Sequence, residues 1–287
     1  MTVDNIKKVC VVGGGLMGRQ IALNTAIYGY EVCLTDSNPE VCQKVSEWAE
    51  EYLAGRVAKG KMTAEEVAKY KESFHVVENL EEAAGDAQLV IEAIIEVQDI
   101  KFDFYKNLSR IAPKDAILAS NSSTMPSSMF KDYVDQPERL ANLHYFNPAL
   151  VMKLIEVVQG DHTSDETAEA LMEFARRTGK TPIRLTKECE GFVVNRALGA
   201  LKKECIKIVD EGICTPQEVD MGLELGLNHP MGVFRLNDLT GIDLYFHMLE
   251  QWYKEDGEKP AGYDLYQSMV EKGELGRKTG KGFYVYE

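Results

Sequence analysis

The residues able to do chemistry in this chain are a few polar side chains set at the ends of apolar runs. His144, one of only five histidines, follows the run Leu140 to Leu143. That run reads as a strand, and a histidine delivered at its end is either a proton-exchanging group near neutral pH or a hydrogen-bonded structural residue. Glu156, twelve residues on in LIEVVQG, either holds the second ring nitrogen or faces water from an edge strand. Ser122 and Ser123, in the polar loop SNSSTMPSS, are turn hydroxyls or donors to a substrate oxygen. Asn195 falls in the first turn of a long helix, directly after the apolar GFVV. No serine stands in a G-x-S-x-G elbow and no metal-ligand spacing is recognisable. The economical reading is acid–base assistance to a redox reaction whose electrons a cofactor carries.

The stretch that would hold such a cofactor is KKVCVVGGGLMG, residues 7 to 18. An apolar strand runs into Gly13, Gly15 and Gly18, the G-x-G-x-x-G spacing of a dinucleotide turn. Gly13 makes the tight turn, Gly15 lets the backbone approach a pyrophosphate, and Gly18 lets the helix pack on the strand. Leu16 and Met17 complete the turn, whose free N–H groups favour the phosphate charge. A second strand ends at Asp36, 18 residues after Gly18. The acidic ribose partner stands about 20 residues on in such folds, and a carboxylate there favours NAD over NADP.

The elements around these residues alternate strand and helix up to about residue 190. Strands are expected near 74–78, 88–95, 116–119, 140–143, 154–160 and 181–185, with Glu92 and Glu96 interrupting the end of the second. Helices are expected over 38–57, burying Val41, Val45, Trp48, Ala49 and Tyr52, after Thr63, over 101–111 and over 163–178. Alternation of this kind means an α/β, Rossmann-like doubly wound sheet with active groups at its carboxyl edge. Beyond Gly191 the periodicity is helical throughout. Residues 1–188 therefore form a nucleotide-binding domain and 189–287 an all-helical one, with a cleft between them as the expected site.

A net charge of −14 excludes broad affinity for nucleic acid or an anionic membrane. Arg56, Lys59 and Lys61 gather local positive charge, either as solvated surface or to meet a phosphorylated substrate tail. The six cysteines stand singly, as expected of a reduced, cytoplasmic protein. No signal-peptide core and no run long enough to span a membrane is present.

Taken together, GGGLMGRQIA, VIEAIIE, ASNSS, HYFNPALVMKLIEVV, GFVVNR, HPMGVFRLNDLTGID and GRKTGKGFY span nearly the whole chain. This composite resembles the L-3-hydroxyacyl-CoA dehydrogenase family, specifically its short 3-hydroxybutyryl-CoA members. The resemblance implies a dimer that interconverts an L-3-hydroxyacyl-CoA thioester and its 3-ketoacyl form with NAD. By position it implies His144 as acid–base, Glu156 as its orienting carboxylate, and Ser123 and Asn195 beside the reacting oxygen. It likewise implies Asp36, Glu96, Lys101, Ser123, Asn147 and Lys278 as cofactor contacts. Its basic coenzyme A contact aligns on Gly60, between Lys59 and Lys61. The chain departs from the family pattern at Gly14, where alanine is usual, at Gln20, where glycine is common, and at Tyr145, where phenylalanine is. Competing readings are a dehydrogenase of a free hydroxy acid or sugar acid, similar to L-gulonate dehydrogenase, and a catalytically weak NAD-binding structural protein.

Overall fold

The computed structural model describes residues 2–286. They form two compact units that divide between Val193 and Val194. The first unit runs β1 (Lys8–Val12), α1 (Leu16–Ile27), β2 (Glu31–Thr35), α2 (Pro39–Ala58), α3 (Ala64–Ser73), β3 (Phe74–Val76), α4 (Leu80–Ala84) and β4 (Leu89–Glu92). It continues with α5 (Gln98–Ile111), β5 (Ile117–Ser120), β6 (Leu140–Tyr145), β7 (Leu154–Val158), α6 (Asp165–Arg177) and β8 (Thr181–Leu185). The eight strands make one sheet in the order β3-β2-β1-β4-β5-β6-β7-β8, parallel except where β6 meets β7.

Residue type explains the double winding. Strand side chains alternate between faces, so Val9 and Val11 of β1 join one core with Val32, Leu34, Leu89 and Ile91. Cys10 and Val12 join the other core, with Cys33, Val90 and Leu118. Both faces are thus covered, the condition for a parallel sheet. Chain direction across the sheet reverses between β1 and β4, and the crevice beyond their carboxyl ends is where open α/β sheets bind ligands.

Helix starts follow local capping chemistry. Thr63 and Glu66 form a reciprocal capping box at α3, and the Asn38 side chain accepts from the Glu40 N–H with Pro39 at the first position of α2. The buried stripe of α2 differs from the sequence expectation. It consists of Cys42, Val45, Ala49 and Leu53, while Trp48 and Tyr52 stack on each other at 5.6 Å, half-buried at the helix edge. Two large rings gain more by covering one another at the surface than a filled α/β layer gains by admitting them. The five-residue α4 went unforeseen, because one turn and a half carries too little periodicity to read.

The second unit contains α7 (Val194–Asp210), α8 (Pro216–Leu227), α9 (Val233–Thr240), α10 (Ile242–Asp256) and α11 (Tyr263–Glu271). The helical run breaks between α9 and α10 at Gly241, a glycine with φ +111°. Asp238, 1% exposed, ties the tail to this unit: it accepts from the N–H groups of Phe283 and Tyr284 and from the Tyr286 hydroxyl, each at 2.9 Å. Among the described residues no helix is long and apolar enough to cross a membrane, and no group of side chains could hold a metal ion.

Candidate active site

The glycine turn joins β1 to α1 at the switch point. Gly13 has φ +107°, and a Cβ there would stand 2.4 Å from the Ala93 carbonyl oxygen. A Cβ on Gly18 would stand 1.8 Å from the carbonyl oxygen of Gly13. At Gly15 nothing lies within 4 Å. Two glycines therefore let the protein close on itself and the third keeps open the side a ligand would approach, the division of labour that a pyrophosphate requires. A cavity of about 760 Å³ beside the turn is lined by Gly13, Gly15, Asp36, Ile94 and Ile95, among others. The residues present fit a dinucleotide.

Asp36 ends β2 with Oδ2 accepting from Gly14 N–H at 2.7 Å and Oδ1 from Asn38 N–H at 2.9 Å. Each oxygen retains a lone pair for a ribose hydroxyl. Gly14 also acquires a reason here: a Cβ would meet Val41 Cγ1 at 2.6 Å and Val45 Cγ2 at 3.0 Å. The packing of α2 fills the room that alanine would need.

His144 and Glu156 stand directly opposite in the antiparallel β6/β7 ladder, so their side chains share a face. Nδ1 of His144 lies 2.7 Å from Oε2 of Glu156, with the histidine 6% and the glutamate 0% exposed. Glu156 is thus no edge glutamate facing water: β8 covers the far side of β7. Its other oxygen accepts from Val193 N–H at 3.0 Å. That N–H is aimed by Phe192, a buried residue in the left-handed region at φ 51°, whose ring stands 5.6 Å from His144. A bulky residue held there marks a strained, over-determined backbone. With Nδ1 committed to the Glu156 carboxylate, Nε2 is the ring nitrogen left to meet another partner. Asn121 fixes the end of β6, its Oδ1 accepting from Tyr145 N–H at 2.9 Å.

The serine loop after β5 divides its two hydroxyls. Ser122 Oγ is a turn hydroxyl, accepting from Met125 N–H at 2.8 Å and donating to Glu96. Ser123 lines a second cavity, of about 260 Å³, with Met17, Glu96 and Asn121. Burial alone would raise the Glu96 carboxyl, but Lys101 at 2.7 Å and the Ser122 and Thr124 hydroxyls hold it below its ordinary value.

The remaining sequence-derived positions are more scattered. Leu16 is half exposed at the start of α1, and Asn147 is exposed after β6. Lys101 is 1% exposed, with its ammonium enclosed by Glu92 and Glu96. Arg56 and Lys59 line a groove with Trp48 and Tyr52, and Lys61 stands exposed beyond it. In the second unit Asn195 is exposed in the first turn of α7, and Lys278 pairs with both oxygens of Asp243 at 2.6 Å.

Sequence reading passed over Arg19, whose guanidinium lies 4.8 Å over the Trp48 ring. Its position directly after Gly18 was the available signal. Gln20, where the family pattern commonly has glycine, is buried and accepts from Leu150 N–H at 3.3 Å, tying α1 to the loop that follows His144.

Residues 8–189 match the family described as 3-hydroxyacyl-CoA dehydrogenase, NAD binding domain, and residues 191–286 match its C-terminal domain. The chain is 38% identical over 283 residues to a "Probable 3-hydroxybutyryl-CoA dehydrogenase" of Bacillus subtilis, covering 98% of each chain. The crystal structure of (S)-3-hydroxybutyryl-CoA dehydrogenase from Ralstonia eutropha is 34% identical, with a TM-score of 0.89 over 99% of this chain and 100% of the other. A solved diketoreductase, described by its catalysis on dicarbonyl compounds, is 30% identical, with a TM-score of 0.87 over 98% and 99%.

Proposed function

The chain belongs to the 3-hydroxyacyl-CoA dehydrogenase family, and from that premise we propose that it interconverts 3-hydroxybutyryl-CoA and acetoacetyl-CoA. The observation that carries the reading is the buried His144–Glu156 pair, 2.7 Å apart, in the same sheet as an intact dinucleotide turn.

NAD is the cofactor and supplies the hydride acceptor when bound. Asp36 would hold its ribose and the glycine turn its phosphates, with Glu96 on the nicotinamide side. His144 Nε2 takes the proton of the C3 hydroxyl during oxidation and returns it to the carbonyl oxygen during reduction. Glu156 balances the positive charge that His144 gains and holds the ring in the tautomer with its proton on Nδ1. Ser123 donates to the C3 oxygen and fixes its distance from the imidazole, since angstrom-level placement controls the barrier. The groove of Trp48, Tyr52, Arg56 and Lys59, with Arg19 beside it, supplies what an adenine-bearing phosphorylated tail requires: a ring to stack on and cations for phosphate.

A four-carbon acyl group is the expected preference, supported by the similarity to 3-hydroxybutyryl-CoA dehydrogenases. Initial rates across 3-ketoacyl-CoA chain lengths check this, and kcat/KM should be highest at four carbons. A maximum at long chains would overturn it. The similarity to a diketoreductase favours a second reading, reduction of a carbonyl compound that carries no coenzyme A.

A further inference from the structure

We propose that Glu92, at the end of β4, governs how tightly this chain binds its nicotinamide cofactor by fixing Glu96 in place, without touching the ligand itself. Glu92 is 1% exposed and satisfied on every side. Oε1 accepts from Lys101 Nζ at 2.8 Å and from Ile94 N–H at 3.0 Å, while Oε2 accepts from Ser120 Oγ at 2.7 Å and Tyr105 OH at 3.3 Å. Two arms leave this carboxylate and meet again at Glu96. Along one, Lys101 Nζ reaches Glu96 Oε2 at 2.7 Å. Along the other, Ser120 Oγ accepts from Ser122 N–H at 3.1 Å and Ser122 Oγ donates to Glu96.

The ring Glu92–Lys101–Glu96–Ser122–Ser120 is therefore closed, and its members differ in what they can meet. Glu92 and Lys101 form the floor of the cavity that Ser123 and Asn121 also line, yet each side chain is only 1% exposed. Glu96, at 39%, is the member that faces a ligand. Lys101 accordingly acts on a ligand through Glu96. Without the Glu92 carboxylate, Lys101 would keep one counter-charge and draw Glu96 inward to solvate a buried ammonium, because an uncompensated buried charge takes whatever partner it can reach. The serine turn beside Ser123 would lose its anchor at the same time. Glu92 is thus a positioning residue at two removes from the chemistry.

The proposal rests on NAD as the cofactor and on Glu96 as a contact to it, and is independent of the acyl substrate. NADH titration by fluorescence, with no thioester present, separates the two: a wrong acyl preference leaves this result unmoved. Glu92→Gln is expected to weaken NADH about 10- to 100-fold, the loss of a charge-assisted bond at the site, with the acyl KM at saturating NADH unchanged. The double variant Glu92→Gln/Lys101→Met, which removes both buried charges, is expected to recover thermal stability and not affinity. Wild-type NADH affinity in Glu92→Gln overturns the proposal. So does recovered affinity in the double variant, since Glu92 would then merely neutralise Lys101. Should Glu92→Gln not fold, Ser120→Ala decides: it keeps the charge pair and cuts the other arm, so weakened NADH supports the proposal and unchanged NADH overturns it.

Discussion

His144→Gln is expected to lower kcat between about 10² and 10⁴-fold, the range that a positioned general acid–base contributes, while NADH binds as before. The reasoning is local. Glutamine retains a polar group of similar reach but cannot carry a proton between hydroxyl and solvent at neutral pH. His144 lies on β6, three strands away from β1 and its glycine turn in the sheet order, so the dinucleotide turn is undisturbed. Glu156→Gln should fall in the same range for a different reason. An amide can donate where the carboxylate could only accept, so the ring is free to adopt the wrong tautomer and the imidazolium loses its counter-charge. Steady-state kinetics with NADH titration alongside checks both, and near-normal turnover in His144→Gln would remove it from the mechanism.

The second large effect concerns the turn, where two of its glycines, Gly18 and Gly15, separate by readout. Gly18→Ala places a Cβ 1.8 Å from the Gly13 carbonyl oxygen. The obstacle is backbone, so β1 and α1 must separate. Overpacking of that kind costs about 1–3 kcal/mol of stability, and the displaced helix start should weaken NADH at least about tenfold. Gly15→Ala meets nothing within 4 Å. Its stability should match the wild type while NADH binding falls, because its methyl enters space that only a ligand would use. Thermal denaturation and NADH titration on both variants check the contrast. A destabilised Gly15→Ala with normal affinity would contradict this reading of the turn.

How far the chain could be read without coordinates follows from how local each feature is. The glycine turn, the Thr63 capping box and the apolar strands are set by neighbours within a few residues and show directly in the sequence. His144 and Glu156 were legible as candidates because each sits at a defined point of a short apolar run, but their pairing depends on the β6/β7 register. Glu92 was visible only as an interruption in VIEAIIE. Its meaning requires Ser120, 28 positions away, to arrive on the adjacent strand, and no local pattern announces that. Trp48 and Tyr52 misled because helical spacing alone cannot tell a ring at the edge of a buried stripe from one inside it. Gly14 is the converse case, an unusual residue explained by Val41 and Val45, side chains on the next helix.

The most direct test of the whole account is a comparison of initial rates on one preparation: NADH oxidation with acetoacetyl-CoA and with free acetoacetate, and NAD reduction with L-gulonate. The tail contributes binding energy that the reacting centre uses, so kcat/KM for acetoacetyl-CoA should exceed that for either free acid at least about a hundredfold. Equal or faster turnover of a free acid would contradict the thioester reading and leave the His144–Glu156 pair serving a smaller substrate.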